Sequence, residues 1–316
     1  DLLRKCDPAR YTDRAAFMRR YGVDTDAARA ELKREMARYV YSHTISPDVT
    51  AHHNEHAIEL SGGQKAALKE MDGHFARARL ARMRGQVDVD ACRAISPSSF
   101  DGVPEDQHHA VAAQLQKSLG MLKPSVERRI INDHPDNAKI EKTVELAKAR
   151  HGRQGVVFAH SLSAVEATAK RLQAEGFRVV TITGADSSKD KDAKRKKFTP
   201  ESGDPEADIM VASDAAAVGM NLQSGRYLIQ HDTPDTAKNH GQRNARIHRL
   251  GQKNDVELHD LVADHSSERR ARARLSKKYG LRELMLSPMD ALDDTGLAYF
   301  LHQRKEASQA DQGGLF

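Results

Sequence analysis

The segment QRNARIHRLGQ, residues 242–252, is the most informative part of this sequence. Arg246 and Arg249 are three positions apart, so on a helix their guanidinium groups lie on one face, one turn apart. Two guanidinium groups placed in this way can bind an anion through several charge-assisted hydrogen bonds. The same spacing also occurs on solvated basic helices, so the choice between a binding site and a solvated surface depends on the neighbouring sequence.

The neighbouring sequence predicts an α/β fold. Between residues 134 and 263, short apolar runs alternate with helical stretches, and the runs predict strands at Gly155–Ala159, Arg178–Ile182, Asp208–Ala212, Tyr227–Gln230 and Val256–Val262. This alternation is typical of a parallel sheet with helices on both faces. Ligands of such sheets bind beyond the carboxyl ends of the strands, which is where the segment SDAAAVGMNLQ, residues 213–223, begins.

Several motifs in a fixed order carry a resemblance to a known family. Motifs V and VI of superfamily 2 helicases are similar to SDAAAVGMNLQ, the strand Tyr227–Gln230, the turn Asp232–Pro234 and QRNARIHRLGQ. The ending HRLGQ resembles the Swi/Snf-related branch, the double-stranded DNA translocases. Three other segments of this sequence resemble further parts of the same lobe. They are HPDNAK at residues 134–139, GVVFAHS at 155–161, and the last strand with Ser267-Glu268. The resemblance implies a RecA-like lobe, the second of the two lobes of such a motor.

The resemblance also implies roles for individual residues. Arg246 and Arg249 are expected to be arginine fingers that face ATP, and an arginine finger is worth on the order of 10³ to 10⁵ in rate. The residues expected near the nucleotide are Gln242, which helps to place the arginines, Gly219 and Asn221. The residues expected to touch the phosphate backbone of nucleic acid are Ser213 and Ser161.

Three departures from the family pattern leave both arginines in place. Ala245 stands where relatives often have Gly, Val218 where they have an acidic residue or Gly, and Asp235-Thr236-Ala237 where they have W-N-P. These departures put efficient coupling between nucleotide and DNA in question. They keep a second hypothesis open, a nucleic-acid or protein-binding module that retains the lobe fold without catalysis. A lobe of an RNA helicase is the third hypothesis.

Residues 189–197 form a very basic stretch within a predicted helix, and its usual interpretation is a solvated helix face. In a motor lobe, Lys194 and Lys197 are candidates for contacts with phosphates. Such contacts would be independent of base sequence and sensitive to salt. The formal net charge of +5 and the pI near 9.1 also favour an anionic partner, here double-stranded DNA.

The predicted domain organisation has four parts. Residues 1–60 resemble the end of a first motor lobe, 61–133 a helical linker or insertion, 134–265 the second lobe, and 266–316 a helix with a polar tail. ATP binding requires a GxxxxGK[ST] loop and an acidic pair for magnesium, and neither occurs in this sequence. We therefore expect the back half of a motor, with ATP and Mg held mainly by a first lobe on another segment or removed. This chain alone is expected not to hydrolyse ATP.

Two further motifs have simpler explanations. Residues 60–64 spell LSGGQ, the signature of transporter ATPases, but without the loop and the acidic strand that accompany it. Ser61 is therefore predicted to cap a helix. His52, His53 and His56 have no Cys or Asp at metal-ligand spacing, so a solvated loop and no metal site are expected.

The end of the chain resembles a peptide of bacterial replication proteins. Gln312, Leu315 and Phe316 match the Q-x-x-L-F pattern that such proteins place in the pocket of the sliding clamp, although so short a pattern also arises by chance. Two distant cysteines and no run of ~20 apolar residues predict a protein of the cytoplasm, nucleoid-associated if bacterial, without a membrane partner.

Overall fold

The computed structural model describes residues 13–21, 25, 27–28, 30–32, 49–214 and 220–286. Its α-helices are α1 Arg14–Tyr21, α2 Gly62–Met83, α3 Val89–Ile95, α4 His108–Lys117, α5 Leu119–Asp133, α6 Ala138–Lys148, α7 Leu162–Ala174, α8 Ser188–Phe198, α9 Ala237–Asn244 and α10 Ser266–Leu286. Short 3-10 helices span Pro97–Phe100 and Glu105–Gln107. Its strands are β1 Ala51–Ile58, β2 Gly155–Phe158, β3 Val179–Ile182, β4 Ile209–Ala212, β5 Tyr227–Gln230 and β6 Val256–Ala263. Within these ranges, no helix has the length and apolar character that crossing a membrane requires.

The chain divides into two compact units, Pro47–Arg272 and a unit made of Asp1–Ser46 with Ala273–Phe316. The first unit holds one six-stranded sheet in the order β1-β6-β5-β2-β4-β3, and every neighbouring pair is parallel. The central strands β2, β4 and β5 are buried along their whole length, as their unbroken apolar sequences require in a sheet covered on both faces. The predicted α/β fold with a RecA-like parallel sheet is confirmed.

Alternate residues of the strands enter two separate apolar cores. Val157 and Ile229 point into the core that contains Leu172 of α7, together with residues of α6. Phe158 lies in the other core, with Phe198 of α8. Helices therefore cover both faces, as the side-chain alternation of a strand demands.

Strand β1 differs from the expectation in position and in extent. The sequence predicts a short strand at His56–Leu60 in the segment before the lobe, and a solvated loop around the three histidines. The structure instead has β1 at Ala51–Ile58, paired with β6 from Ala51↔Val256 to Ile58↔Ala263, so His52, His53 and His56 lie on a strand. Because β1 is an edge strand, it needs few apolar residues, and its polar sequence AHHNEHAI hides the signal. The boundary at residue 60 stays a prediction, but β1 belongs to the same sheet as β6.

The helical module, residues 62–133, has its own apolar core. That core includes Phe75, Cys92, Ile95, Phe100 and Leu119. The structure therefore confirms that a helical segment precedes the main part of the sheet. It corrects one detail, because Pro124 lies inside α5, where Lys123-Pro124 is expected to end a helix.

The LSGGQ segment joins the helical module to the lobe. Ser61 caps α2 as predicted: the Gln64 amide N–H donates to Ser61 Oγ at 3.1 Å, and the Ser61 amide N–H donates to Gln64 Oε1 at 3.0 Å. Gln64 is fully buried, and its Nε2 donates to the Ile131 carbonyl at 2.7 Å. Ser61 Oγ donates to the Asp136 carbonyl at 2.7 Å. These contacts give the segment a structural role within the fold.

A buried ion pair joins α6 to α10. Lys139 Nζ lies 2.9 Å from Glu268 Oε2 and donates to Asn132 Oδ1 at 2.8 Å. The Lys139 and Glu268 side chains are 0% and 4% exposed. Buried charges of this kind require such partners, since leaving one charge alone in the interior is costly. The pair fixes α6 to the first turn of α10.

Candidate functional site

The loops after β2, β4 and β5 meet at the carboxyl edge of the sheet. Phe158, Ala212 and Gln230 are in register at the ends of these strands, so the following residues emerge side by side. A cavity of about 40 Å³ lies there, lined by Arg128, His160, Asp214, Asp232, Thr233, Pro234, Asp235 and Asn239. The edge is the expected ligand position in a parallel α/β sheet.

Arg243, in the last turn of α9, uses every N–H of its guanidinium group inside the protein. Nε donates to Asp214 Oδ1 at 2.6 Å, and Nη2 donates to Asp214 Oδ2 at 2.9 Å and to Asp232 Oδ1 at 3.0 Å. Nη1 donates to Gln230 Oε1 and to the Asp232 carbonyl, both at 3.3 Å. The side chain is 2% exposed and lies over the ring of Phe158, 5.6 Å from its centroid. A guanidinium has five N–H donors, so none of them remains for a ligand.

Asp232 is the buried carboxylate of this group. Burial opposes its ionisation, but the charge of Arg243, followed by smaller contributions, holds the pKa of Asp232 below its usual value. Its Oδ2 accepts from the backbone N–H of His160. The loop after β2 is therefore attached to the same ion cluster as the loops after β4 and β5.

Arg246 and Arg249 lie beyond the end of α9, so the expectation that they share one helix face is wrong. Thr236 caps the start of α9, where the Asn239 amide N–H donates to its Oγ1 at 3.1 Å, and the helix ends at Asn244. The backbone N–H of Arg246 donates to the Arg243 carbonyl at 3.0 Å, which tightens the chain into a turn. The helix ends at Asn244, and Ile247 three residues later is buried in the sheet core.

The two arginines differ from Arg243 in their charge environment. Among the described residues, no carboxylate oxygen lies within 4.0 Å of either side chain. Arg246 is half-buried, and its Nη1 makes a long contact of 3.4 Å with the Met220 carbonyl. Burial, followed by the charge of Arg249, lowers the pKa of Arg246. Two close cations without a counter-charge attract an anion.

The loop before β5 is joined to the arginine segment by the backbone and by Gln252. The Leu222 amide N–H donates to the Arg246 carbonyl at 3.2 Å. Gln252 is buried, and its Nε2 donates to the carbonyls of Gln223 at 2.9 Å and Ile247 at 3.0 Å. Neither Gln252 nor Arg243 is predicted as a site residue from sequence. The two carboxylates that follow β4 and β5 are the signal that predicts a buried cation between them.

The structure describes two of the three other residues that are predicted to lie near the nucleotide. Asn221 is exposed, and its Nδ2 donates to Gln223 Oε1 at 2.9 Å. Gln242 is exposed on α9. Gly219, like Val218, lies outside the described residues. The roles of these residues near a nucleotide stay predictions.

The two predicted serines differ in whether their hydroxyl is already engaged. Ser161 caps α7, where the Ala164 amide N–H donates to its Oγ at 3.1 Å, and the same Oγ donates to Asp133 Oδ1 at 2.5 Å. Ser213 directly follows β4 and is 8% exposed, and its Oγ has no hydrogen-bond partner in the part of the chain that the structure describes. Of the two serines, Ser213 is therefore the one whose hydroxyl is not engaged by any described residue.

The two lysines predicted to contact phosphates lie near carboxylates that partly neutralise their charge. Lys194 Nζ lies 2.5 Å from Asp186 Oδ1, whereas Lys197 is more than half exposed and 3.7 Å from Glu206 Oε2. Lys197 is thus freer to meet a phosphate than Lys194. Gln312, Leu315 and Phe316, predicted to bind a sliding clamp, lie outside the described residues.

Comparison with known proteins finds sequence similarity over the lobe. Residues 138–251 match the family model described as the helicase conserved C-terminal domain. An uncharacterized ATP-dependent helicase of Bacillus subtilis, YqhH, is 27% identical over 160 residues, which is 51% of this chain and 28% of that protein. The ATP-dependent RNA helicase RhlB of Shewanella amazonensis is 33% identical over 100 residues, 32% of this chain and 22% of that protein. The chain thus spans less than a third of either relative.

Two solved structures show the same fold. The C-terminal part of the Fun30 ATPase domain has a TM-score of 0.51 at 15% identity, covering 71% of this chain and 88% of that one. The Sulfolobus solfataricus SWI2/SNF2 ATPase core in complex with dsDNA has a TM-score of 0.51 at 17% identity, covering 87% of this chain and 56% of that one. At these identities the similarity establishes the fold of the lobe.

Proposed function

We propose that this chain completes an ATP-dependent double-stranded DNA translocase of the Swi/Snf-related branch, because residues 138–251 match the helicase conserved C-terminal domain. Arg246 and Arg249 supply the arginine fingers to ATP that is bound against a first lobe. The lobe meets the DNA backbone through Ser213 and the basic helix α8. Its proposed location is the cytoplasm, on the nucleoid in a bacterium.

The observation that supports this proposal is the contrast between neighbouring arginines. Arg243 has all of its donors matched by protein acceptors, whereas Arg246 and Arg249 have no carboxylate within 4.0 Å among the described residues. On a solvated basic surface, water would satisfy each guanidinium group, and neighbouring arginines would not need to differ in this way. A half-buried cation beside a second cation is costly unless an anion joins them, and the phosphates of ATP provide that anion.

The carboxylates of this edge do not suit magnesium. Mg²⁺ takes oxygen ligands, usually from one or two carboxylates together with substrate phosphates and waters. Asp214 and Asp232 are already held by Arg243, and Asp235 is paired with Arg128 at 2.7 Å. We therefore assign Mg²⁺ and the phosphate-binding loop to the first lobe, and only the arginine pair to this chain.

Arg246→Ala and Arg249→Ala in the complete motor test the assignment. DNA-stimulated ATPase turnover is expected to fall on the order of 10³-fold in each variant, because each removes charge that stabilises the transferring phosphoryl group. Arg153→Ala is the matched control: Arg153 is an exposed arginine before the amino end of β2, so turnover should be unchanged. Near-normal turnover of both finger variants would rule out the proposal.

An RNA helicase is the second candidate, since curated relatives over this lobe include RNA helicases named RhlB. Comparing ATPase stimulation by duplex DNA and by RNA separates the two candidates. The DNA translocase proposal predicts stimulation by duplex DNA well above that by RNA of equal length. The reverse order would favour the RNA helicase.

A further inference from the structure

The ion cluster around Arg243 connects the ends of three neighbouring strands. Phe158, under the guanidinium, ends β2, and Asp214 follows β4, whereas Gln230 and Asp232 belong to the end of β5. These strands are adjacent in the order β5-β2-β4. One guanidinium therefore fixes three separate loops of the carboxyl edge relative to α9.

The cluster also lies between the two predicted contact regions. Arg246 follows Arg243 by one turn, and its backbone N–H donates to the Arg243 carbonyl at 3.0 Å. On the other side, Asp214 is the direct neighbour of Ser213, whose buried Oγ is without a hydrogen-bond partner in the described part of the chain. Any displacement of Asp214 is thus passed to Arg243 through two charged hydrogen bonds of 2.6 and 2.9 Å.

The chemistry of the cluster suits a rigid connection. An arginine that binds a carboxylate in bidentate fashion is held in direction as well as in distance. Arg243 is 2% exposed and Asp232 is 4% exposed, so water has little access to the bond between them, whereas Asp214 is 29% exposed. With every N–H matched inside the protein, Arg243 is excluded from direct contact with a ligand and can act only through the residues that it holds.

We propose that Arg243 is a positioning residue that couples the nucleic-acid face to the nucleotide face of this lobe. It holds Asp214 and Asp232 so that Ser213 and Arg246 keep one fixed arrangement. Nucleic acid bound at Ser213 then speeds ATP hydrolysis through Asp214, Arg243 and Arg246. This inference rests on the proposed function, and it names the residues that carry stimulation from one face to the other.

The test uses Asp214→Asn in the complete motor. The Asp214 side chain is 29% exposed, so an amide of nearly the same shape fits there, but it lacks the charge and the bidentate geometry. The ratio of stimulated to basal kcat is expected to fall about tenfold, as for weakening a hydrogen bond to a charged group, with KM for ATP changing less than kcat. Arg243→Lys, which keeps the charge and loses the bidentate fork, should lower the same ratio.

Glu257→Gln is the matched control. It is also a carboxylate-to-amide change in a partly buried ion pair with arginine, and it lies at the amino end of the sheet, where Arg150 Nε donates to Glu257 Oε2 at 2.9 Å. It should lower stability and leave the ratio of stimulated to basal kcat unchanged, because loss of folded protein scales both rates alike.

The two proposals fail in different ways. An unchanged ratio in both Asp214→Asn and Arg243→Lys, or an equal fall in Glu257→Gln, overturns the positioning role. Near-normal turnover in Arg246→Ala and Arg249→Ala instead overturns the proposed function. A large loss in the finger variants with an intact ratio in Asp214→Asn leaves the function standing and removes only the coupling.

Discussion

At the residue scale, the role of each arginine depends on the acceptors around it. Arg243 and Arg246 are three positions apart in one basic segment. Arg243 is saturated by acceptors, whereas the Arg246 side chain makes one long contact, with a carbonyl, among the described residues. The spacing of arginines along the sequence does not show this difference. It arises because α9 ends at Asn244 and because Asp214 and Asp232 come from other loops.

Gly155 is a position where the fold excludes any side chain. A Cβ at Gly155 would lie 2.1 Å from Cζ and 2.3 Å from Cε2 of Tyr227, its register partner on β5. Tyr227 is 1% exposed and has Arg150 over its ring, so it has little room to move. Gly155→Ala is therefore expected to lower the free energy of unfolding by roughly 1–3 kcal/mol, measured by urea denaturation.

The control for this change is Gly73→Ala. Gly73 lies inside α2, and nothing is within 4 Å of its added Cβ. Alanine there should raise the free energy of unfolding by about 0.5–1 kcal/mol, since glycine is a poor helix former. If Gly155→Ala were as stable as the unchanged chain, the close packing of Tyr227 on β2 would be wrong.

His231 predicts a dependence of stability on pH. Full burial, followed by the charge of Lys139, lowers the pKa of His231 to about 4. The unfolded chain, with a histidine pKa near 6.5, binds this proton more readily than the folded chain, so the free energy of unfolding falls as pH drops from about 6.5 to about 4. The loss from His231 should be up to roughly 3 kcal/mol.

Urea denaturation of His231→Asn between pH 6.5 and 4.5 tests this expectation. The fall in unfolding free energy over that interval should be smaller in the variant than in the unchanged chain. The remaining fall belongs partly to His259, whose pKa is also lowered to about 4, chiefly by burial. An identical pH dependence in both proteins would show that His231 is not buried in its neutral form.

At the element scale, apolar central strands were the most predictable parts of the chain. The prediction at Tyr227–Gln230 coincides with β5, and that at Gly155–Ala159 exceeds β2 by one residue. Strand β1 was predicted only at its end, because an edge strand carries no continuous apolar run. The end of α9 was equally hidden, because no breaker residue marks it, and Ile247 three residues later is buried in the sheet core.

The junction between the helical module and the lobe depends on Gln64. Its Nε2 donates to the Ile131 carbonyl at 2.7 Å, and its Oε1 accepts from the amides of Ser61 and Ala138. Gln64→Leu leaves these buried backbone groups without partners and should lower the free energy of unfolding by roughly 3 kcal/mol. Chemical denaturation measures the change.

Gln173→Leu, on the exposed side of α7, is the control and should change stability by less than about 0.5 kcal/mol. A Gln64→Leu variant as stable as this control would mean that the LSGGQ segment is not a structural junction. Its resemblance to a nucleotide-binding signature would then need another explanation.

At the scale of the whole molecule, we propose that this lobe supplies only part of an ATP site. The sequence contains no GxxxxGK[ST] loop, and the carboxylates of the described carboxyl edge are already paired with arginines. Family motifs were sufficient to predict the fold, whereas the finger role of Arg246 and Arg249 stays a prediction. The motifs did not predict the Arg243 cluster or the hydrogen bond from Gln252 to the Gln223 carbonyl, because those contacts join residues that are distant in sequence.

The most direct measurement is the single-turnover rate at which ATP, already bound to the DNA-loaded motor, is hydrolysed by Arg246→Ala. Prebinding removes any effect on nucleotide affinity and leaves only the phosphoryl-transfer step. If Arg246 is an arginine finger, the rate should be on the order of 10³-fold lower than that of the unchanged motor, with Arg153→Ala unaffected. A rate for Arg246→Ala within about twofold of the unchanged motor, well short of one factor of ten in rate, would contradict that role.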